Sequence, residues 1–312
     1  MEKRYLRLFF ILLFLSVIIV NGCNKNTTDQ SSTSPQVTKE ETKSKNTINE
    51  VTSVIVDGLL IGGYYQGKWA QTEDIVSKIK GGETYRMYSS YEYYGNVKGK
   101  KPTIEDEIGQ GYYIDFDVKS ETGSPNQTEQ GNEEEFSSFA IGTNSELDFE
   151  PLIKKNRTFY EDIMSKYLKK KGLTNYKINL TQGVSVDLDN DKKKEHLVSS
   201  GHYNLTDTLG DGWYKAENNY SLLVLSRDNL DITAVKEAVL QKAGEMSEFL
   251  KVDQNTDMVF RSHYYIVGVI DINNDGKKEI ISREEIQGGI LYSIFQYENG
   301  TFQELLTTGI GS

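Results

Sequence analysis

Beyond residue 50, short apolar runs rich in Tyr, Val and Ile alternate with Gly, Asn and Asp, a pattern that predicts strands joined by tight turns. Val51–Tyr65 reads as strand, turn and strand, broken at Asp57-Gly58 or at Gly62-Gly63, and Tyr85–Tyr94 and Gly111–Lys119 each read as one strand. Thr72–Lys80 places Ile75, Val76 and Ile79 at helical spacing and stops at Gly81-Gly82, which predicts a short helix. Residues 120–135 are polar and acidic and predict a surface loop. A longer helix is predicted by two adjacent i, i+4 stripes, Phe159, Ile163, Tyr167 and Tyr160, Met164, Leu168. Thr158 is its expected N-cap, and Lys169–Lys171 complement the dipole ahead of Gly172.

After Gly172 the pattern repeats. The first unit has strands over Tyr176–Val186, His196–Tyr203 and Tyr220–Arg227, with a Gly-rich turn between the last two and a return through Ile232 to Leu240. The second has strands over His263–Ile270, Ile280–Glu284, Gly289–Tyr297 and Thr301–Thr307. The last two are joined by Asn299-Gly300, a strong signal for a type I′ hairpin. Residues 233–250 carry conflicting signals, because their Ala, Lys and Glu favour helix while their place in the unit favours strand.

Each unit holds a nine-residue acidic loop between its first two strands. In the second, oxygen donors recur at Asp271, Asn273 and Asp275, the Lys277 carbonyl supplies position seven and Glu279 supplies position nine, while Gly276 permits the reversal. The first repeats the layout with Asp187, Asp189, Asp191, the Lys193 carbonyl and Glu195, but has Lys192 in place of the glycine. Hard oxygen donors without a Cys or His cluster select Ca2+ over zinc or copper. An EF-hand needs a carboxylate at position twelve and flanking helices, whereas Val198 and Ser282 stand there and the flanks are β-like. A nine-residue acidic loop between strands, followed by a hairpin, resembles the calcium loops of FG-GAP or VCBS repeats. That resemblance, confined to residues 176–312, implies an extracellular, noncatalytic module whose strands are tied together by calcium. The expected fold is mainly β with a few helices: β-propeller-like or incomplete-propeller repeats following an N-terminal β-rich segment.

The N-terminus supplies an address. Lys3, Arg4 and Arg7 precede a run from Leu8 to Val20 that is apolar except for Ser16, shorter than the roughly 20 residues of a spanning helix and typical of a signal peptide. Val20-Asn21-Gly22-Cys23 resembles the bacterial lipobox, with an aliphatic residue at −3, a small one at −1 and the cysteine that becomes lipidated. Cys23 is the only cysteine, so no intramolecular disulfide forms. From Asn24 to Glu50 the chain is almost wholly polar and reads as a flexible tether. The expected organisation is a signal peptide over 1–22, a lipidated tether over 23–50, a β-rich region over 51–150, and a helix with two calcium-loop repeats over 151–312. This places the protein on the extracytoplasmic face of a cell membrane.

A net charge of −11 excludes an ordinary electrostatic nucleic-acid binder. No nucleophile-elbow, zincin, P-loop or dinucleotide motif occurs, and the three histidines, His196, His202 and His263, read as strand residues. Gly210-Asp211-Gly212-Trp213 reads as a turn whose Trp caps a groove, and adjacent tyrosines such as Tyr264-Tyr265 are expected to point to opposite faces of a strand, one in the core and one exposed. The resulting expectation is a lipid-anchored, noncatalytic binding or structural module rigidified by calcium, with a cell-wall polymer or a protein as partner. The alternative is an extracytoplasmic hydrolase of cell-wall or environmental polysaccharide using an acid pair such as Glu284-Glu285.

Overall fold

A computed structural model describes residues 51–89, 92–105, 111–117, 138–143, 145–147, 153–174, 176–202, 205–208, 214–216, 220–227, 231–240, 263–286 and 288–311. The signal peptide, Cys23, the tether, the 120–135 loop, the Gly210–Trp213 turn and residues 241–250 lie outside these. Contacts divide the chain into Met1–Lys45 and Asn46–Ser312, and every element below belongs to the second unit.

The unit is mainly β. Its first part is a nine-stranded sheet, curled into a half-barrel, made of β1 (Thr52–Val56), β2 (Leu59–Tyr65), β3 (Lys68–Gln71), β4 (Thr84–Ser89), β5 (Glu92–Gly99), β6 (Thr103–Glu105), β7 (Gly111–Tyr113), β8 (Phe116–Asp117) and β9 (Ser138–Ile141). The first two hairpins turn at Asp57-Gly58 and Gln66-Gly67. Both central residues of each have positive φ, as type I′ turns require. The break therefore falls at Asp57-Gly58, whereas Gly62 and Gly63 lie within β2. Successive residues of β1 and β2 enter different cores: Val54, Val56, Leu59 and Ile61 one, Ile55 and Leu60 the other. A sheet covered on both faces reads as an unbroken apolar run.

Helix α1 (Thr72–Ile75) and a 3₁₀ turn (Val76–Lys78) occupy the predicted short helix. Helix α2 (Ile153–Lys170) begins before Thr158, with a non-helical break at Asn156, so Thr158 lies within the helix rather than capping it. Its predicted stripe packs as expected: Tyr160, Ile163, Met164, Tyr167 and Leu168 are buried together. The end is a Schellman motif, with Gly172 at φ 84° donating to Lys169 O at 2.9 Å and Leu173 donating to Leu168 O at 3.0 Å.

The repeats are two four-stranded antiparallel meanders. Meander one is β10 (Leu180–Val186), β11 (Glu195–His202), β14 (Tyr220–Arg227) and β15 (Asp231–Leu240). A small hairpin of β12 (Leu205–Thr208) and β13 (Tyr214–Ala216) is inserted before its third strand. Meander two is β16 (His263–Ile270), β17 (Glu279–Ile286), β18 (Gly289–Glu298) and β19 (Thr301–Gly311). Asn299 and Gly300, at φ 53° and 81°, make the predicted hairpin turn. Position decides the segment with conflicting signals, since Thr233–Leu240 is strand. The Tyr85–Tyr94 run is two strands, β4 and β5, rather than one, and Gly111–Lys119 likewise contains both β7 and β8.

The layers share cores in series. Helix α2 packs on meander one, meander one on meander two, and meander two on the half-barrel. Gln182 also bonds both backbone groups of Ile266, donating to its carbonyl at 3.0 Å and accepting from its amide at 2.5 Å. Among the described residues no helix is long and apolar enough to cross a membrane.

Candidate metal loops

Loop 1 (187–195) and loop 2 (271–279) each join the first two strands of a meander, and four of their carboxylate-to-amide bonds coincide position by position. The first carboxylate uses both oxygens to gather backbone amides. Asp187 accepts from Asp191 N at 3.2 Å and Lys192 N at 2.9 Å; Asp271 accepts from Asp275 N at 3.1 Å and Gly276 N at 2.9 Å. The fifth carboxylate accepts the seventh amide, Lys193 N on Asp191 and Lys277 N on Asp275, both at 2.8 Å. The ninth residue reaches back to the second amide, Glu195 to Leu188 N at 2.9 Å and Glu279 to Ile272 N at 2.8 Å. Positive φ recurs at position four, Asn190 (62°) and Asn274 (59°), and at position six, Lys192 (70°) and Gly276 (90°). Lys192 thus holds the left-handed conformation that glycine adopts freely, a strain of about 1 kcal/mol or more.

The second residue anchors each loop. Leu188 and Ile272 are fully buried, the first between the two meanders and the second between meander two and the half-barrel. The same shift by one layer holds for Val186 and Ile270, Leu197 and Ile281, and Leu225 and Ile294. Equivalent residues therefore face the next layer in each unit.

The two loops also touch. Lys278, at position eight of loop 2, donates its amide to Leu188 O at 2.8 Å and its ammonium to Asp187 O at 3.0 Å. Asn274 is fastened from the half-barrel by Thr143 Oγ1 at 3.2 Å and Ser145 Oγ at 2.9 Å.

In loop 1, Asp187, Asp189 and Glu195 place ligand oxygens within 4.8 Å of one another, the one such group of His, Cys, Asp or Glu among the described residues. Asp189 Oδ1 and Glu195 Oε1 are buried without a hydrogen-bond partner among the described residues. In loop 2, Asn273 accepts from Asp275 N at 2.9 Å and donates to Asp275 Oδ2 at 3.1 Å. Glu279 is fully buried; one oxygen serves the Ile272 amide, while Oε1 has no hydrogen-bond partner among the described residues. Burial, against the pull of the Ile272 amide and aided by the charges of Asp275 and Asp271, pushes its carboxyl up to about 8. Burial likewise raises Asp271 and Glu195, while the Lys193 amide is the main influence lowering Asp191. A buried carboxylate oxygen facing other carboxylates without a donor is the environment that a hard cation relieves. The donor set fits calcium: oxygens only, with several charges on short loops.

Arg227 escaped the sequence reading. From the end of β14 its guanidinium contacts Asp191 and lies 3.5 Å from both Asp189 Oδ2 and Glu195 Oε1. Lys193 and Lys277 enter through the amides already named, and the Lys277 ammonium turns to Glu298 at 2.5 Å.

The other predicted groups lie elsewhere. Glu284 accepts from Tyr264 at 3.1 Å, and Glu285 pairs with Arg283 at 2.8 Å. His196 packs edge-on to Phe159, and His202 lies beside Tyr220. Of the tyrosine pairs, Tyr264 is buried and Tyr265 half-buried, but Tyr64-Tyr65 and Tyr112-Tyr113 are half-buried at both positions rather than split between core and surface. No family model matches the chain, and no curated protein or solved structure matches it.

Proposed function

We propose that this protein is a lipid-anchored, extracytoplasmic, noncatalytic binding or structural module stabilised by calcium in loops 1 and 2. The observation that carries the calcium reading is the buried Oε1 of Glu279, without a hydrogen-bond partner among the described residues, in a loop whose ninth-to-second bond repeats that of loop 1. Asp271, Asn273, Asp275 and Glu279 would hold one ion, with the Lys277 carbonyl, and Asp187, Asp189, Asp191 and Glu195 another, with the Lys193 carbonyl. When bound, calcium supplies the charge that these carboxylates lack. The chain's own part is to preset the donors: the first Asp of each loop fixes the turn, the ninth Glu ties the second amide, and Leu188 or Ile272 plugs the loop into the core.

The propeller-like reading is supported by two four-stranded meanders with the acidic loop in the first hairpin of each, and by equivalent residues that face successive layers. In this reading the half-barrel takes the place of the next blade. The lipid anchor rests on the leader and Cys23, and it leaves the folded unit to engage a wall polymer or a protein outside the membrane.

Thermal melting of the full chain in calcium and in chelator tests the calcium reading. Calcium should raise Tm by several degrees, and Glu279→Gln should remove most of that rise. Equal Tm in calcium and chelator would overturn it.

A further inference from the structure

One difference between the two loops lies in what each meets across the sheet. The ninth-position glutamate of each faces a partner across the sheet: Glu195 stands opposite Arg227 on the β11–β14 ladder, and Glu279 stands opposite Gln296 on the β17–β18 ladder. The same rung thus carries a cation in one unit and a neutral amide in the other. Arg227 reaches the third, fifth and ninth positions of loop 1, namely Asp189, Asp191 and Glu195. The lysines of loop 2 are directed away, Lys277 to Glu298 and Lys278 to the Asp187 carbonyl. Neither Glu195 Oε1 nor Glu279 Oε1 has a hydrogen-bond partner among the described residues, but Glu195 Oε1 lies 3.5 Å from the Arg227 guanidinium, whereas Glu279 has the neutral Gln296 across its rung.

We propose that Arg227 is the resident cation of loop 1, so that the loops take calcium unequally: loop 2 is the tight site, and loop 1 fills only against the guanidinium. This rests on the calcium reading above and assigns the order in which the loops load. A dication entering loop 1 must either displace Arg227 from three carboxylates or sit beside its charge, and both lower affinity. The arrangement also explains how loop 1 tolerates four carboxylates where loop 2 has three, since the extra acid, Asp189 in place of Asn273, is one that the guanidinium meets. Loop 1 is then ordered without metal, and through Lys278 it gives loop 2 a preset neighbour.

Calorimetric titration of the full chain with calcium alone, with Tm measured in parallel, tests the assignment. Wild type should show a tight and a weak site separated by roughly tenfold or more. Glu279→Gln should remove the tight site and leave loop 1 in isolation. In that background Arg227→Gln should strengthen the remaining site by roughly tenfold or more, whereas Arg227→Lys, which keeps the charge, should leave it weak. Gln296→Arg, which gives loop 2 the same partner, should weaken the tight site and shrink the calcium-induced Tm rise, and it keeps the question answerable if the Arg227 variants do not fold. Two equal sites in wild type, or no gain in loop 1 affinity on removing the Arg227 charge, would overturn the assignment and leave the calcium reading standing. Absence of any binding or Tm shift in wild type would overturn both.

Discussion

Residue by residue, the loops store two kinds of unfavourable energy that substitution can release. Lys192 sits at φ 70° where loop 2 has Gly276 at 90°. Lys192→Gly should relieve the left-handed strain, partly offset by glycine's greater freedom in the unfolded chain, for a net gain of up to about 1 kcal/mol or roughly 2–4 °C in Tm. Differential scanning calorimetry in chelator would read it; an unchanged or lower Tm would contradict the argument. Glu279 stores the other. With its carboxyl raised from the ordinary glutamate range to about 8 in the metal-free fold, the proton is held more tightly folded than unfolded. Its contribution is least unfavourable below the unfolded value, and stability should fall as pH rises through the folded one. In chelator, wild type should therefore lose stability between the usual glutamate range and about pH 8, whereas Glu279→Gln should flatten that part of the profile and be the more stable protein at pH 8 and above. Denaturant midpoints across that range decide it, and a wild-type profile as flat as the variant's would refute the assignment of strain to this carboxylate.

For the elements, close packing rather than loop chemistry sets the tolerance. A Cβ added at Gly183 on β10 would lie 2.8 Å from the ring of buried Tyr160 on α2, so the helix approaches the sheet only because that position has no side chain. Gly183→Ala should cost about 1–3 kcal/mol through overpacking, with little change in the calcium response, because the loop bonds are untouched. A wild-type Tm for that variant would show that the helix yields easily. The elements also show what a sequence makes legible. Both loops could be read because their donors lie within nine consecutive residues, and the α2 stripe because helical spacing is local. Arg227 could not be found this way: its meeting with Glu195 depends on strand register across an inserted hairpin, which no local pattern encodes. The split of Tyr85–Tyr94 into β4 and β5 leaves no local mark, because Tyr occurs in both strands and at the break and no Gly, Pro or Asn stands there. Thr158 immediately precedes the apolar stripe, the place where a cap is expected, whereas the helix starts earlier and breaks at Asn156.

Across the whole unit, the loops lie on the seams between layers, and this decides how far a cation bound there would be felt. Leu188 closes the core shared by the meanders, Ile272 closes the core shared by meander two and the half-barrel, and Asn274 receives hydrogen bonds from Thr143 and Ser145 beyond β9. Trp69, on β3 of the half-barrel, packs against the same core as Ile272. Layers that share residues in series should unfold together rather than one at a time, since exposing either face of meander two strips a neighbour of its buried surface. With Trp213 replaced by Phe, Trp69 becomes the only tryptophan, and its fluorescence reports the half-barrel while far-UV circular dichroism reports all the sheets. The expected result is one coincident melting transition by both probes, displaced to lower temperature as a whole when calcium is chelated. A Trp69 transition unmoved by chelator while the circular dichroism transition shifts would mean that the half-barrel stands independently of the loops. The shared Ile272 core would then be a contact without consequence for stability, and calcium would act on the meanders alone.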